Sequence, residues 1–276
     1  MKLGLVVHPD RENAAELAAV VVAAAKSHGL EVEARPEDAD RVPGAARCRD
    51  GFTACDAVIA VGGDGTMLEA VRIALGADLP ILGVNAGHVG FLAEVDPSLI
   101  DDAIGALVAG DYRESHRMTL TAHLPDGSVV TGLNDVVAEK TVSQHTVRVT
   151  VSVGEERLVG YRADAVIVAT PTGSTAYNFS AGGPLVDPEL EALVVTAVAP
   201  HNLFGRPIVF RPSARLELTV EGERDARLNV DGRQVADLAP GDAVFVVKGA
   251  SAARFIRLTP RHFAAAVREK FHLHDA

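Results

Sequence analysis

The sequence contains no tryptophan, and aromatic residues make up only 4% of it. Any core must therefore rest on Val, Leu, Ile and Ala. Cysteine is equally scarce: Cys48 and Cys55 stand close together with no His or Cys cluster beside them. That excludes a disulfide framework and argues against a zinc site, so the site calls for no metal-ligating residues; the two read as reduced thiols of a cytoplasmic protein. No apolar run approaches the ~20 residues that cross a bilayer, and the first residues lack a signal-peptide pattern, so no membrane partner is expected. Positive charge is in deficit. Lys and Arg total 26 against 37 Asp and Glu, a formal net charge of −11. Such a field excludes a general nucleic-acid binder, and an anionic substrate would need local donors. Two nucleotide signatures are also missing: there is no Gly-x-x-x-x-Gly-Lys-Ser/Thr, and no Gly-x-Gly-x-x-Gly in a first βα turn.

What is present suits a globular chain, with 48% hydrophobic and 23% charged residues over 276 positions. Leu3 to Val7 reads as a strand, Glu12 to His28 as a helix stopped by Gly29, and Glu31 to Ala34 as a short strand. Arg35 to Thr53 reads as a charged connection. Val58 to Val61 and Pro80 to Asn85 are buried strands, and Ser98 to Ala109 is a helix entered through Asp96-Pro97. Alternating strands and helices imply a Rossmann-like parallel α/β domain. After about Ser115 the pattern turns to short alternating strands, with a hairpin signal at Pro125-Asp126-Gly127 and strict alternation over Val147 to Val153. A β-sandwich follows from that. The expected organisation is residues 1–115 as the α/β domain and 116–258 as the β-sandwich. A C-terminal helix, Arg261 to Phe271, returns to the first domain within residues 259–276.

Three stretches could carry chemistry. In the first, the strand Ala57 to Val61 breaks at Gly62-Gly63-Asp64-Gly65 and resumes as helix, with Thr66 as a possible cap. A glycine turn of this kind presents backbone N–H groups to phosphate, which makes Gly62, Gly63, Gly65 and Thr66 candidates for cradling one. A carboxylate beside that phosphate makes sense as a proton acceptor for an attacking hydroxyl or as a partner for Mg²⁺. In the second, Thr170 to Pro184, small hydroxyls, a Tyr and an Asn crowd a single loop after a strand, which suits a purine edge and a ribose; a polar loop that satisfies itself is the bland alternative. The third is Asn134-Asp135 at a strand edge. It could hold vicinal ribose hydroxyls, although an ordinary Asn-Asp turn looks the same.

Taken in order, Gly62 to Thr66, Asn134-Asp135 and Thr170-Pro171-Thr172-Gly173-Ser174-Thr175-Ala176-Tyr177 with Gly182-Gly183-Pro184 resemble the bacterial-type NAD kinase family. Gly83 to Leu92, Glu114 to Leu120 and Asp231-Gly232 add to the likeness. The glycine-Asp turn is shared with diacylglycerol, sphingosine and 6-phosphofructokinases, whereas the hydroxyl-rich segment is far more specific. The resemblance implies transfer of the γ-phosphoryl group of ATP, or of polyphosphate, to the 2′-hydroxyl of the adenosine ribose of NAD, with Mg²⁺ or another divalent cation. It implies Asp64 as proton acceptor and NAD contacts at Asp64, Gly65, Asn134, Asp135, Arg162, Asp164, Thr172, Thr175, Ala176, Tyr177, Asn178, Phe179 and Ser180. By spacing alone it adds His145, Ala199 and Gln234. A homodimer or homotetramer is the implied assembly. Two positions depart from the pattern: Asp135 stands where Glu is commoner, and Ala163 and Ala165 flank Asp164 in place of glycines. The rival readings are a diacylglycerol-type lipid kinase and a non-catalytic NAD(P)-binding regulator.

Overall fold

The computed structural model describes residues 1–87, 90–259 and 263–273. It has two compact units, Met1–His116 with Ala253–Ala276, and Arg117–Ala252.

The first unit begins with β1 (Lys2–Val7), α1 (Glu12–Ser27), β2 (Glu31–Ala34), α2 (Pro36–Ala39) and β3 (Ala46–Arg47). It continues with β4 (Ala57–Gly62), α3 (Asp64–Ala77), β5 (Ile81–Asn85), α4 (Ile100–Ala109) and β6 (Arg113–Arg117). β1 is paired in parallel with both β2 and β4, and β4 with β5. Every residue of β4 is buried, as expected of a parallel strand covered by helices on both faces. The segment Arg35 to Thr53, read as a charged connection, contains α2 and the short edge strand β3.

The second unit holds β7 (Leu120–His123), β8 (Val129–Gly132), β9 (Asp135–Lys140), β10 (Val147–Val153), β11 (Glu156–Ala163) and β12 (Ala165–Ala169). A helical turn, α5 (Tyr177–Ser180), precedes β13 (Leu193–Val198), β14 (Ile208–Phe210), β15 (Leu216–Glu221), β16 (Ala226–Val230), β17 (Arg233–Leu238) and β18 (Ala243–Lys248). The strands form two six-stranded sheets, ordered β11-β10-β15-β18-β7-β8 and β14-β13-β12-β9-β16-β17. Alternate residues of both, such as Val149, Leu218 and Val246 from one and Val136, Val166 and Val195 from the other, meet in one aliphatic core. This is a β-sandwich.

The chain then returns to the first unit through β19 (Ala253–Arg257) and α6 (Phe263–Lys270). The parallel sheet has the order β3-β2-β1-β4-β5-β19-β6. Residues 253–257, placed with the sandwich on pattern, thus lie in the α/β sheet, because alternation reveals a strand but not its partner. The start of the terminal helix at Arg261 and His262 lies outside the described residues.

Candidate active site

In the first unit the geometry follows from topology. From β1 the chain crosses to β2 on one side, and from β4 to β5 on the other. The crevice outside the carboxyl ends of β1 and β4 is therefore a topological switch point, where open α/β sheets bind ligands. Gly62 closes β4, Gly63 caps α3 in extended conformation, and Asp64 opens the helix. Thr66 is not the cap: it lies buried within the first turn with its Oγ1 against Gly62, where an added Cβ would collide with it. Among the described residues that hydroxyl has no hydrogen-bond partner.

The Asp64 carboxylate is held from the opposite side. Its Oδ2 accepts from the amide of Phe91 at 3.3 Å and its Oδ1 from that of Leu92 at 3.2 Å. Gly90 must be glycine for this arrangement, since a Cβ there would lie on the carboxylate. Each oxygen keeps a free lone pair, so Asp64 can still accept a proton or face a cation.

Sequence reasoning missed the cations of this crevice. Arg11, at the start of α1, donates from Nη1 to the Ala86 carbonyl at 3.0 Å. Its guanidinium lies beside Gly63 and Gly87, filling space that side chains there would need. Arg41 donates from both terminal nitrogens to the His8 carbonyl at 3.3 Å. Among the described residues neither guanidinium is ion-paired to a carboxylate. A cavity of about 540 Å³ adjoins the turn, walled by residues 6–9 that end β1 and follow it, by Arg35, Glu37, Asp38 and Arg41 around α2, and by Gly65, Thr66 and Glu69 on the α3 side. Its size suits a nucleotide. Nothing local marks Arg11 or Arg41 in the sequence; a guanidinium carried to a switch point looks like any solvated one until the sheet order is known.

In the second unit, the hydroxyl-rich loop covers the outer face of the β9–β12–β13 sheet, where Val137, Ile167 and Val194 form a small apolar cluster with Ala181 and Val186. Gly173 presses on the backbone of Asn134 so closely that any Cβ would overlap it. Thr170 Oγ1 donates to the Leu133 carbonyl at 2.6 Å and accepts from the Gly173 amide at 3.1 Å. Part of the loop does satisfy itself. Thr175 donates to the Thr172 carbonyl, and Ser174 exchanges hydrogen bonds with the backbone of Val186. Asn178 is fully buried, its amide donating to Ser174 and Pro184 carbonyls and accepting from Thr196. Its side chain is enclosed within the loop that it builds. Thr172 Oγ1 is buried without a partner among the described residues, Thr175 and Ala176 are part-buried, and Tyr177, Phe179 and Ser180 are exposed.

Asp135 opens β9 on the face beneath this loop, only 4% exposed. Burial, reinforced by the charge of Asp231, pushes its carboxyl up to about 7. Asp231 accepts from the amides of Leu133, Asn134 and Asp135 at 2.7, 2.7 and 3.2 Å, from a left-handed backbone at φ 49°. Those amides pull its carboxyl down, but burial outweighs them and holds it raised. The Tyr177 phenol is raised by burial first, then by the charges of Glu139, Asp164 and Asp135. Asp135 and Asp164 flank β12 at opposite ends. Asp164 stands at the other end from Asn134 and Asp135, about 17 Å along the strand by ordinary strand rise, and is bound to Lys140 at 2.7 Å. Ala163 and Ala165 beside it use ordinary negative φ; it is Ala199, after β13, that is left-handed, at φ 46°.

Three residues assigned by spacing or by resemblance lie outside the loop itself. Arg162 lies on β11 of the other sheet, with its Nε donating to Thr146. His145 is exposed in the β9–β10 loop. Gln234 sits on the edge strand β17 and donates to Asp237 at 3.1 Å. As for metals, the group of potential ligands close enough to share an ion, among the described residues, is Glu33, Cys48 and Asp50, away from the glycine turn. There Lys2 already bridges to Glu33 and the Cys48 thiol points to Asp50.

Residues 3–112 match the ATP-NAD kinase N-terminal domain family and residues 133–258 the ATP-NAD kinase C-terminal domain family. The chain is 36% identical over 275 residues to the NAD kinase of Moorella thermoacetica, across 98% of this chain and 88% of the relative. It is 43% identical over 227 residues to that of Heliobacterium modesticaldum, across 80% of each. Its fold is similar to that of yeast NADH kinase complexed with NADH (TM-score 0.91, 23% identity, all of this chain and 89% of that one). It is also similar to an NAD kinase from Archaeoglobus fulgidus in complex with ATP (TM-score 0.77, 25% identity, 99% and 98%).

Proposed function

Since the chain belongs to the NAD kinase family, we propose that it transfers the γ-phosphoryl group of ATP to the 2′-hydroxyl of the adenosine ribose of NAD, with Asp64 as the proton acceptor. The observation that carries the residue roles is the placement of Asp64. It stands at the switch point, at the start of α3, fixed by two amides, with the Arg11 guanidinium beside the preceding Gly63. In this reading the cavity beside Gly65 seats the nucleoside of the donor. Arg41 and Arg11 offset the charge of its phosphates, together with the free N–H groups that open α3. Orienting an attacking hydroxyl in line with the phosphorus supplies the larger share of the rate, and proton removal adds about 10²–10⁴-fold.

The acceptor occupies the hydroxyl-rich face of the second unit. Asn134 and Asp135 take ribose hydroxyls, and Thr172, Thr175, Ala176, Tyr177, Phe179 and Ser180 present the adenine contacts. Asp135 accepts as carboxylate, its shorter side chain compensated by the Asp231 anchor that draws the Leu133–Asp135 backbone into place. A divalent cation such as Mg²⁺ fits the oxygen chemistry of this site: Asp64 retains free lone pairs, and Mg²⁺ is commonly held by one or two carboxylates plus substrate phosphates. When bound it would neutralise phosphate charge. A homo-oligomer and a cytoplasmic setting belong to the same reading; no helix among the described residues is long and apolar enough to cross a membrane.

The test is NADP formation from NAD, ATP and Mg²⁺ by the purified protein and by Asp64→Asn. The wild type should turn over, and the variant should bind NAD within a few fold while kcat falls at least about 10²-fold. Near-normal turnover by Asp64→Asn would remove Asp64 from its role. Binding without turnover in the wild type would favour a regulator, and a phosphorylated lipid product a lipid kinase.

A further inference from the structure

His8 follows the last residue of β1 and helps to wall the cavity beside Gly65 and Thr66. No motif in the sequence singles it out. In the structure all but one of its polar groups are committed. Its amide donates to the Val61 carbonyl at 3.0 Å, which carries the β1–β4 pairing one residue past the strand. Its carbonyl accepts from both terminal nitrogens of Arg41. Its ring nitrogen Nδ1 accepts from the amides of Asp10 and Arg11 at 3.1 and 3.2 Å. Nε2 is left over, with no partner among the described residues.

These bonds fix the chemistry of the ring. A nitrogen that accepts from N–H groups carries no proton, so the proton of the neutral imidazole sits on Nε2. His8 is then a neutral donor held in one place. It is tied to both cations of the crevice: Arg41 is bound to its carbonyl, and its ring holds the amide of Arg11, whose guanidinium lies beside Gly63. The carboxylates of the cavity, Glu37, Asp38 and Glu69, all pair with Arg35. The β1 side is therefore the side open to an anion. A third cation there would be repelled by the two guanidiniums, whereas a neutral N–H adds a directed bond without that cost.

We propose that His8 binds the phosphoryl donor: Nε2–H donates to an oxygen of its triphosphate, while Nδ1 holds the loop that brings Arg11 to the crevice. The inference rests on the reading of this cavity as the donor site.

The ring has two roles, and two side-chain amides separate them. The Asn oxygen replaces Nδ1 and accepts from the amides two and three residues on, as in an Asx turn, but nothing stands at the place of Nε2. The longer Gln amide reaches that place and leaves the loop amides unpaired. The experiment is calorimetric titration of the full chain with a non-hydrolysable ATP analogue and Mg²⁺, with melting curves alongside. His8→Asn should melt close to wild type and bind the analogue at least about 10-fold more weakly, the loss of one hydrogen bond to a charged group. Its KM for NAD at saturating ATP should not change. His8→Gln and His8→Ala should both melt lower, and Gln should bind the analogue more tightly than Ala. Wild-type affinity in His8→Asn, or Gln no better than Ala, would overturn the proposal. Gly65→Phe tests its premise. A Cβ on Gly65 meets nothing within 4 Å, so the ring would enter the cavity and analogue binding should be lost. Unchanged binding in Gly65→Phe would remove the donor reading and the proposal with it. Loss there beside normal binding in His8→Asn would remove the proposal alone.

Discussion

The ring of Phe271 lies 6.1 Å from that of Phe91, tilted by 47°, and the Phe91 amide donates to Asp64. The end of α6 is thereby linked to the proposed base through one residue. Glu94, three residues on, accepts from the Arg257 guanidinium and from the amides of Leu258 and Thr259. The returning chain therefore braces the 90–94 loop at two points. Phe271→Ala should lower kcat about 2–10-fold, the equivalent of an aromatic pair, and leave KM for NAD unchanged. Steady-state kinetics decides; a change confined to KM would separate the tail from Asp64.

Gly90 gives a sharper test of the same geometry. Alanine there drives a methyl into the carboxylate, so Asp64 must rotate away from its two amides. Misplacing a reacting group by about 1 Å costs on the order of 10²-fold. Gly90→Ala should show that loss in kcat with a normal circular dichroism spectrum. Full activity would mean that the amides do not set the working orientation.

These residues also show what could be read from the sequence. The Gly62-to-Thr66 turn was legible because strand, glycine bend and helix are consecutive and each has a local signature. The sandwich was legible from period-two alternation in segments such as Val147 to Val153. Arg11 and Arg41 were not, because only the sheet order brings the ends of β1 and β4 together. The bonds that Asn178 makes inside its own loop were not legible either, since a crowd of polar side chains looks the same whether it faces a ligand or ties up its own backbone. The strand Ala253–Arg257 carries no mark of belonging to a sheet more than 100 residues earlier. Its partner Ile81 is identified only by the fold.

Asp135 makes a pH prediction. Its carboxyl titrates at about 7 when buried beside Asp231, against 3.8 ordinarily. The folded state thus favours the neutral acid, and the native state loses stability as pH rises from about 4 to about 7, by up to about 1.4 kcal/mol per unit. A ribose hydroxyl that donates to the carboxylate favours the ionised form instead. NAD should therefore bind more weakly as pH falls below about 7, approaching 10-fold per unit. Asp135→Asn should flatten both dependences. Titration calorimetry at pH 6 and 8 and melting curves across the range check this; a variant that keeps the wild-type pH profile would place the titration elsewhere.

The last prediction separates loop architecture from ligand contact. Gly173 has an ordinary negative φ, so alanine is not barred by backbone conformation. It is barred by space, because the Asn134 carbonyl occupies the position of the added methyl. Backbone cannot move aside as a side-chain tip can, so Gly173→Ala must part the loop from the Asn134–Asp135 edge and break the Thr170 bonds that join them. Overpacking of this kind costs about 1–3 kcal/mol, and the melting temperature should fall accordingly. The contacts assigned to the acceptor lie on both sides of that seam, so KM for NAD should rise at least about 10-fold, while the ATP analogue, seated in the first unit, should bind as before. Equal weakening of both ligands would show that the seam supports the whole protein and not the acceptor face alone.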